Sequence, residues 1–335
     1  MAFKRLDQED ISISAESIVA PLWSTDVREL TNFFTSSAQT AANTGNYYYQ
    51  VYEADINIPN STAKVQFDLA YGNKVGSGSA PYNANVEGKT PTSTIYGQYR
   101  SLIYGDEDSE FVFGTHESDS IYIVNVERAR YKEKLFPGSL NLKLKKGSTV
   151  LELTDNSKDV TTVSFVDSGR IYDIVSGSDG TPYTGTGFTP SSGSYGKFLP
   201  DIGVLVLNGD ALDGAVADGG LALGTGIEDA ADNIRKIFDT IVEGDSAVLQ
   251  SEETISSNYI FVRVRNSEFN YSTNPSNITS SGELRWDVMI NTPQAYVTTV
   301  GLYNDSNDLL AVAKLSRPLL KDFTKEALVR IKLDY

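Results

Sequence analysis

Residue types that commonly carry out catalysis are scarce in this chain of 335 residues. Cysteine is absent and His116 is the single histidine, which excludes thiolate catalysis, disulfides and metal sites built from several histidines. A Ser–His–Asp arrangement would require His116 to lie beside a nucleophile. The surrounding segment, Gly114–Ser120, is polar and typical of a turn. We therefore expect His116 in an exposed loop.

An acidic segment, Gly105–Glu110, places side-chain oxygens at alternate positions, as a calcium-binding loop does. An EF-hand loop also needs a glycine at its sixth position and a glutamate at its twelfth. Counted from Asp106, those positions hold Phe111 and Glu117, and no helical pattern surrounds Glu117. The segment therefore predicts a solvated acidic turn. The same applies to Asn304–Asp308, because Asn and Asp favour tight turns.

A glycine-rich segment, Gly219–Gly226, precedes a helical pattern and superficially suggests a phosphate-binding loop. Such loops require Gly-x-x-x-x-Gly-Lys-Ser/Thr, or Gly-x-Gly-x-x-Gly after a strand. Here Gly226 is followed by Ile-Glu-Asp, and acidic side chains at a helix start repel phosphate. We interpret the segment as a flexible lead-in to the helix.

Paired carboxylates could support a glycan-cleaving enzyme, but no pair stands out among the 44 Asp and Glu residues. The sequence thus assigns no catalytic, cofactor-binding or metal-binding residue. We expect no enzymatic activity and no cofactor.

The net charge of −16 arises from 44 acidic against 28 basic side chains. A field of this sign repels phosphate backbones, which disfavours nucleic acid as a partner. The first ten residues turn acidic where a signal peptide needs an apolar segment. No stretch approaches the roughly 18 apolar residues that span a bilayer. We therefore expect no membrane partner, and assembly in a cytoplasm.

Nineteen tyrosines exceed what a core of this size needs; among them are Tyr47, Tyr48, Tyr49, Tyr96, Tyr99 and Tyr104. A tyrosine ring buries area while its hydroxyl finds a partner, which suits interfaces and carbohydrate-binding surfaces. The alternative is packing within strands, where aromatic side chains are favoured.

The first region, 1–145, predicts a β-rich domain with an early helix. Thr25 or Asp26 would cap that helix, whose apolar residues recur at helical spacing: Val27, Leu30, Phe34 and Ala38. Alternating or aromatic segments predict strands at 47–53, 64–71, 121–126 and 139–144. The segment Gly72–Gly88 is typical of a long loop.

The middle region, 146–253, breaks this pattern and resembles an insertion. Short strands are predicted at 163–166, 170–175 and 203–208. Between them, Ser176–Gly196 is dominated by Gly, Ser, Thr and Pro, which predicts a mobile or partner-ordered loop. An apolar stripe from Ile227 to Ile241 predicts the best helix of the chain.

The last region, 254–335, is the most regular and predicts a β-domain. Ala295–Tyr303 and Leu309–Leu315 should form a hairpin, 260–264 should be a strand, and Val329–Tyr335 should be a strand tied into a sheet. The apolar faces of the hairpin and of the terminal strand should be covered by one another and the strand at 260–264, or by a neighbouring subunit. Together the regions predict an α+β, β-rich fold. Its sheets should be mainly antiparallel and sandwich-like, with a few helices and long Gly/Ser-rich loops.

Six segments of the first and last regions carry a family resemblance: Phe33–Gln39, Tyr96–Asp106, Arg128–Leu135, Asn258–Ser276, Val300–Ser316 and Ile331–Tyr335. They resemble virion structural proteins of contractile-tailed phages, particularly T4-like phages of cyanobacteria. The resemblance implies an assembly subunit of the tail or baseplate, with the neck or head surface as the next location. It also implies other virion structural proteins as partners, through self-association or symmetric assembly. The chain would then reside in the virion after assembly in the host cytoplasm.

A rival hypothesis is a receptor-binding or glycan-binding adsorption protein, for which the tyrosine content is the argument. Fibre-like adsorption proteins usually show sequence repeats, and this chain has none.

Overall fold

The computed structural model of the chain describes residues 5–37, 47–79, 90–183, 194–224 and 230–334. The fold is β-rich, with 44% of residues in strands and 16% in helices. The paired strands run antiparallel. The expected β-rich fold with antiparallel sheets and few helices is confirmed.

The described strands follow one another in this order: β1 (Ile11–Pro21), β2 (Glu29–Leu30), β3 (Tyr48–Tyr52), β4 (Val65–Asn73), β5 (Val112–Phe113), β6 (His116–Glu117), β7 (Ser120–Val126), β8 (Lys134–Leu135), β9 (Asn141–Lys146), β10 (Thr149–Asp155), β11 (Ser164–Val166), β12 (Gly169–Ser178), β13 (Thr181–Pro182), β14 (Gly196–Leu199), β15 (Val204–Asn208), β16 (Ala247–Val248), β17 (Gln250–Val264), β18 (Gln294–Tyr303), β19 (Leu309–Asp322) and β20 (Ala327–Asp334).

Four α-helices occur among the described residues: α1 (Pro91–Tyr104), α2 (Gly209–Asp213), α3 (Ala230–Gly244) and α4 (Asp287–Asn291). Single turns of 3-10 helix lie at Gln8–Asp10, Arg128–Arg130 and Val216–Asp218.

Contacts along the chain divide it into two compact units. A larger unit comprises Ile18–Glu253, and a smaller unit comprises Met1–Ser17 with Thr254–Tyr335. The division predicted from the sequence differs, because it places a boundary at 145/146. The β9–β10 hairpin crosses that position, pairing Leu144 with Leu151. Strands from both proposed regions therefore share one sheet.

The larger unit is built on a curled sheet of twelve strands. Its main path runs β2-β16-β9-β10-β12-β14-β15-β7-β4-β3, and β11 and β13 pair with β12 off this path. The central strands are buried on both faces, because their alternate residues enter two different cores. In β15, Leu205 and Leu207 join the larger core, while Val204 and Val206 join the other. This explains why β15 is an uninterrupted apolar run in the sequence.

Two helices cover the faces of this sheet. The apolar stripe of α3 enters the larger core through Ile234, Ile237 and Ile241, as the sequence predicted for this helix. Helix α1 packs through Tyr96 and Ile103 into the second core.

The prediction of an early helix around residues 27–38 is wrong. Its apolar residues instead lie on an extended segment whose backbone pairs with distant strands. Leu30 lies opposite Ala247 in the sheet, and Phe34 exchanges two backbone hydrogen bonds with Tyr52 (3.0 and 2.8 Å). Long-range pairing here prevails over local spacing. Ala38 lies outside the described residues.

The helix α1 was not predicted, because the segment contains Gly97 and several β-branched or hydroxyl residues that lower helix propensity. Two signals could have revealed it. Pro91 occupies the first turn, where its missing N–H costs nothing, and Gly105 ends the helix in the left-handed conformation (φ 67°).

The predicted loop Ser176–Gly196 is only partly a loop. Residues up to Ser178 complete β12, Thr181–Pro182 form β13, and Gly196 begins β14. Residues 184–193 lie outside the described part of the chain, as do 80–88 of the loop predicted at Gly72–Gly88.

In the smaller unit, β17 lies between β1 and β20, and β18 pairs with β19 as a separate two-stranded ribbon. Tyr259 faces Lys332 and Ile260 faces Ile331 in the β17–β20 register. Three side chains form what we call the small core: Ile260, Val329 and Ile331. The predicted hairpin, the predicted strand at 260–264 and the predicted terminal strand are all present.

Candidate assembly surface

The single histidine lies in β6, half-exposed, rather than in an open loop. Its Nε2 atom is 3.3 Å from Oδ2 of Asp210, a residue in the first turn of α2. Both side chains are well exposed to solvent, so an ion pair here contributes little to stability even when His116 is protonated.

The acidic segment after α1 forms a turn that satisfies its own carboxylate. Asp106 accepts hydrogen bonds from the Asp108 backbone N–H (2.9 Å) and the Ser109 hydroxyl (2.6 Å). Both hydrogen bonds lower the pKa of Asp106, and the bond from Ser109 has the larger effect. Glu110 pairs instead with Lys74. Among the residues that the structure describes, no group of three or more side chains could hold a metal ion.

The described part of the glycine-rich segment packs against the protein. Leu221 and Leu223 enter the larger core, and Gly219 accepts a hydrogen bond of 2.7 Å from the buried Tyr195 hydroxyl. The lead-in is thus anchored up to Gly224, and residues 225–229 lie outside the described ranges.

Most of the tyrosines noted in the sequence serve the interior. Tyr49 and Tyr96 are fully buried, while Tyr99 and Tyr104 pack against the second core. Tyr48 remains exposed on β3. Packing within a strand accounts for Tyr49, whereas Tyr96, Tyr99 and Tyr104 pack from helix α1.

A cleft of about 460 Å³ opens on the larger unit beside β10. Its lining includes Thr149, Glu152, Ser176 and Tyr183, and the Tyr183 hydroxyl donates a hydrogen bond to Glu152. The bond to this carboxylate, followed by burial, raises the pKa of Tyr183.

The smaller unit has little core and much exposed apolar surface. Among its described residues only four apolar side chains are buried: Ile260, Ala327, Val329 and Ile331. Fourteen large apolar side chains are exposed: Ile11, Ile13, Phe269, Tyr271, Trp286, Val288, Ile290, Tyr296, Tyr303, Leu309, Leu310, Val312, Phe323 and Leu328. Exposed apolar surface on this scale, beside so small a core, is typical of a protein-interaction region.

The β18–β19 ribbon has one covered face and one uncovered face. Val300, Leu302 and Leu315 of its inner face pack against the small core. On the outer face, Val312 lies opposite Gly301, and the ring of Tyr303 lies across that glycine. At about 3.3 Å per residue, the 14-residue strand β19 is roughly 46 Å long. The outer face exposes apolar side chains near the turn, among them Tyr303 and Val312, and carries Thr299 and Lys314 farther along the ribbon.

Strand β1 continues the core face of its sheet, and its side chains on that face are exposed. Glu16 accepts a hydrogen bond from the Tyr259 hydroxyl (3.3 Å) and lies 3.3 Å from Nζ of Lys332, so these three side chains share one face. Because side chains alternate along a strand, Ile11 and Ile13 lie on the opposite face, the one that carries the small core. Both are exposed, Ile13 to 71%.

Ion pairs hold the polar face of this sheet. Hydrogen bonds to Asp334 and then to Glu16 raise the pKa of Lys332. The guanidinium group of Arg330 lies 5.3 Å from the centre of the Tyr259 ring. Charged and aromatic side chains of the polar face thus contact one another within the chain, whereas Ile11 and Ile13 on the apolar face of β1 are exposed.

No match was found among protein-family models, curated proteins or solved structures. The role of this surface therefore has to be argued from its own chemistry.

Charge is distributed very unevenly between the two units. The larger unit has 17 basic and 32 acidic residues, and the smaller unit has 11 basic and 12 acidic residues. Their net charges are therefore −15 and −1. Like-charge repulsion opposes contacts between copies through the larger unit, while the smaller unit is nearly free of it.

No helix within the described ranges combines the length and apolarity needed to cross a membrane.

Proposed function

We propose that this chain is a structural assembly subunit of a tailed-phage virion, located in the tail or baseplate. The observation that carries the assembly role is the smaller unit, whose described residues include four buried apolar side chains and fourteen exposed large apolar ones. A unit with so small a core gains stability when a partner covers the exposed side chains. The virion context is supported by the family resemblance of the first and last regions.

The two units would have different roles in an assembly subunit. The larger unit has two cores on either side of its sheet and supplies a stable body. Its charge of −15 keeps unassembled copies apart. The smaller unit supplies a nearly neutral apolar surface that a neighbouring virion protein can cover.

Purified particles of the phage that encodes this chain provide the test. Immunogold labelling with antibodies against the larger unit should mark the tail or baseplate at a fixed position. Labelling at the neck or head surface would support the assembly role but contradict the proposed location in the tail or baseplate. Absence of the chain from extensively purified particles, shown by mass spectrometry, would contradict the proposal.

A second candidate, glycan binding, is favoured by the cleft beside β10. An exposed tyrosine ring next to a carboxylate and hydroxyl groups, as with Tyr183, Glu152 and Thr149, suits a sugar. Glycan-array binding by the isolated chain, lost in Tyr183→Ala and retained in the exposed control Tyr48→Ala, would support it. Equal binding by both variants would exclude this cleft as the site.

A further inference from the structure

We propose that the edge of β10 beside the cleft of the larger unit binds an extended, basic segment of a neighbouring protein, which adds as a strand along residues 149–152. This inference rests on the proposed assembly function and states the chemistry of one partner.

The strand β10 is paired unequally on its two sides. It pairs with β9 from Thr149 to Thr154, whereas β12 pairs only with Leu153, Thr154 and Asp155. Beyond that point β12 continues into its hairpin with β13. The cleft lies beside the part of β10 that β12 leaves, and Thr149–Glu152 form one of its walls. This wall is a strand edge of about 13 Å, at roughly 3.3 Å per residue.

The backbone groups of this edge point toward the cleft. In β9, the Lys143 N–H group donates to the segment before β16 (3.0 Å), which lies on the far side from β10. Lys143 lies opposite Glu152, so these two residues form a non-hydrogen-bonded pair of the β9–β10 ladder. Because the hydrogen-bonding direction alternates along a strand, Val150 and Glu152 direct their N–H and C=O groups away from β9. Asn156, at the same parity, donates its N–H to β12 (3.0 Å), which agrees with this direction.

An extended backbone is the ligand that matches such an edge. Its N–H and C=O groups would exchange hydrogen bonds with those of Val150 and Glu152, as in strand addition to an open sheet edge. The exposed side chains of Val150, Tyr183 and Val216 offer apolar contacts around it. The cleft volume of about 460 Å³ is of the size that holds a small ligand or a short stretch of chain.

Charge selects a basic segment. Glu152 is the one charged side chain among the described residues that line the cleft, and the Tyr183 hydroxyl donates a hydrogen bond to it. Lys143 and Lys145 belong to β9, on the other side of β10 from the cleft. The larger unit, with its net charge of −15, attracts a basic partner and repels an acidic one, a second copy of this chain included.

Hydrogen exchange of the full chain with a synthetic peptide tests this binding. The probe is acetyl-Thr-Val-Thr-Lys-Thr-Val-Thr-amide, whose β-branched residues favour an extended backbone. At about 1 mM, a concentration that detects weak affinities, it should slow exchange in residues 149–152 at least about threefold. The same peptide with Glu in place of Lys should bind at least about tenfold more weakly, because its charge is repelled. A peptide methylated at all its backbone nitrogens should not bind, since it cannot donate to the edge.

A substitution in the cleft separates the charge from the backbone contribution. Glu152→Gln should remove the preference for the Lys peptide over the Glu peptide, because it removes the charge that selects between them. Glu107→Gln is the matched control, since Glu107 is exposed in the acidic turn of the same unit and its substitution removes the same charge. It should retain the preference of the wild type.

Three outcomes would overturn the inference: no protection by the Lys peptide at this concentration, equal protection by the methylated peptide, or an unchanged preference in Glu152→Gln. Glycan binding that is lost in Tyr183→Ala, without peptide binding, would likewise overturn it and assign the cleft to the second candidate function. Failure here is distinct from failure of the proposed function. A chain that binds no peptide but is found in purified particles keeps its assembly role, whereas a chain that binds the peptide but is absent from particles has another role.

Discussion

Lys321 donates a hydrogen bond of 2.6 Å to the Asn270 side-chain oxygen, and both side chains are fully buried. The same Nζ atom also donates to the backbone oxygens of Asn266 (3.0 Å) and Asp322 (2.9 Å). A lysine has three N–H donors, and here each has an acceptor. The side chain thereby fastens the turn after β17 to the end of β19.

Replacing Lys321 by Met should destabilise the smaller unit. The substitution removes the donor to the buried Asn270 side-chain oxygen and to the Asp322 carbonyl, while the Asn266 carbonyl keeps its hydrogen bond from the Asn270 side-chain nitrogen (2.7 Å). The expected cost is about 1–3 kcal/mol. Hydrogen exchange should accelerate in residues 266–270 and 319–322 while the larger unit is unaffected. Lys314→Met, at an exposed position of the same strand, is the control and should leave exchange unchanged. Unaltered protection in Lys321→Met would show that the three hydrogen bonds contribute little.

Asp68 should make stability depend on pH. Burial, followed by the charge of Glu127, raises the pKa of Asp68 to about 6, and its Oδ1 atom is buried without a hydrogen-bond partner. The protonated carboxyl is therefore the form that the folded state favours. Stability from this group is fully present below pH about 4 and is lost as pH rises through about 6.

The variant Asp68→Asn should then be more stable than the wild type at pH about 8, by on the order of 1–2 kcal/mol, since partial solvent exposure reduces the full effect. The difference should vanish toward pH about 4. Urea unfolding at several pH values measures it, with Asp159→Asn at an exposed position as control. A constant difference across this range would contradict the assignment to ionisation.

Gly169 cannot be replaced without disturbing a neighbouring ion pair. Its φ is +114°, and an added Cβ would lie 2.5 Å from Oδ2 of Asp201. That carboxylate accepts hydrogen bonds from the Arg170 backbone (2.7 Å) and guanidinium group (2.6 Å). Gly169→Ala should therefore lower the free energy of unfolding by more than about 2 kcal/mol. Gly147→Ala is the control with positive φ and open space around it, and should cost about 1 kcal/mol.

How far the sequence predicted this fold depends on the range of the interactions that form each element. The strands β4 and β20 and the ribbon could be predicted from alternation, because each strand's own faces set its pattern, and β7 from its run of apolar residues. The segment 27–38 could not, since Leu30 and Phe34 pair with strands more than fifteen residues away. The strand β1 was not predicted, although the alternation Ile-Ser-Ile-Ser is a local signal for it.

The candidate surface was less predictable than the fold. Alternation shows that a strand has an apolar face, but not whether another element covers it. The inner ribbon face and the β1 stripe have similar compositions, yet Leu302 packs on the small core while Ile13 is open to solvent. Only the tertiary arrangement shows which of these two apolar faces is buried and which is exposed.

The terminal strand β20 should be essential to the smaller unit. Val329 and Ile331 make up two of the three side chains of the small core, and β20 pairs with β17 over eight residues. Ile331→Ala should destabilise the unit by about 2–5 kcal/mol, because the cavity it leaves is lined by the few buried side chains available. Leu328→Ala, on the exposed face of the same strand, should change stability by no more than about 0.5 kcal/mol. Hydrogen exchange across β17 and β20 would measure both, and equal effects of the two substitutions would show that the small core does not stabilise this unit.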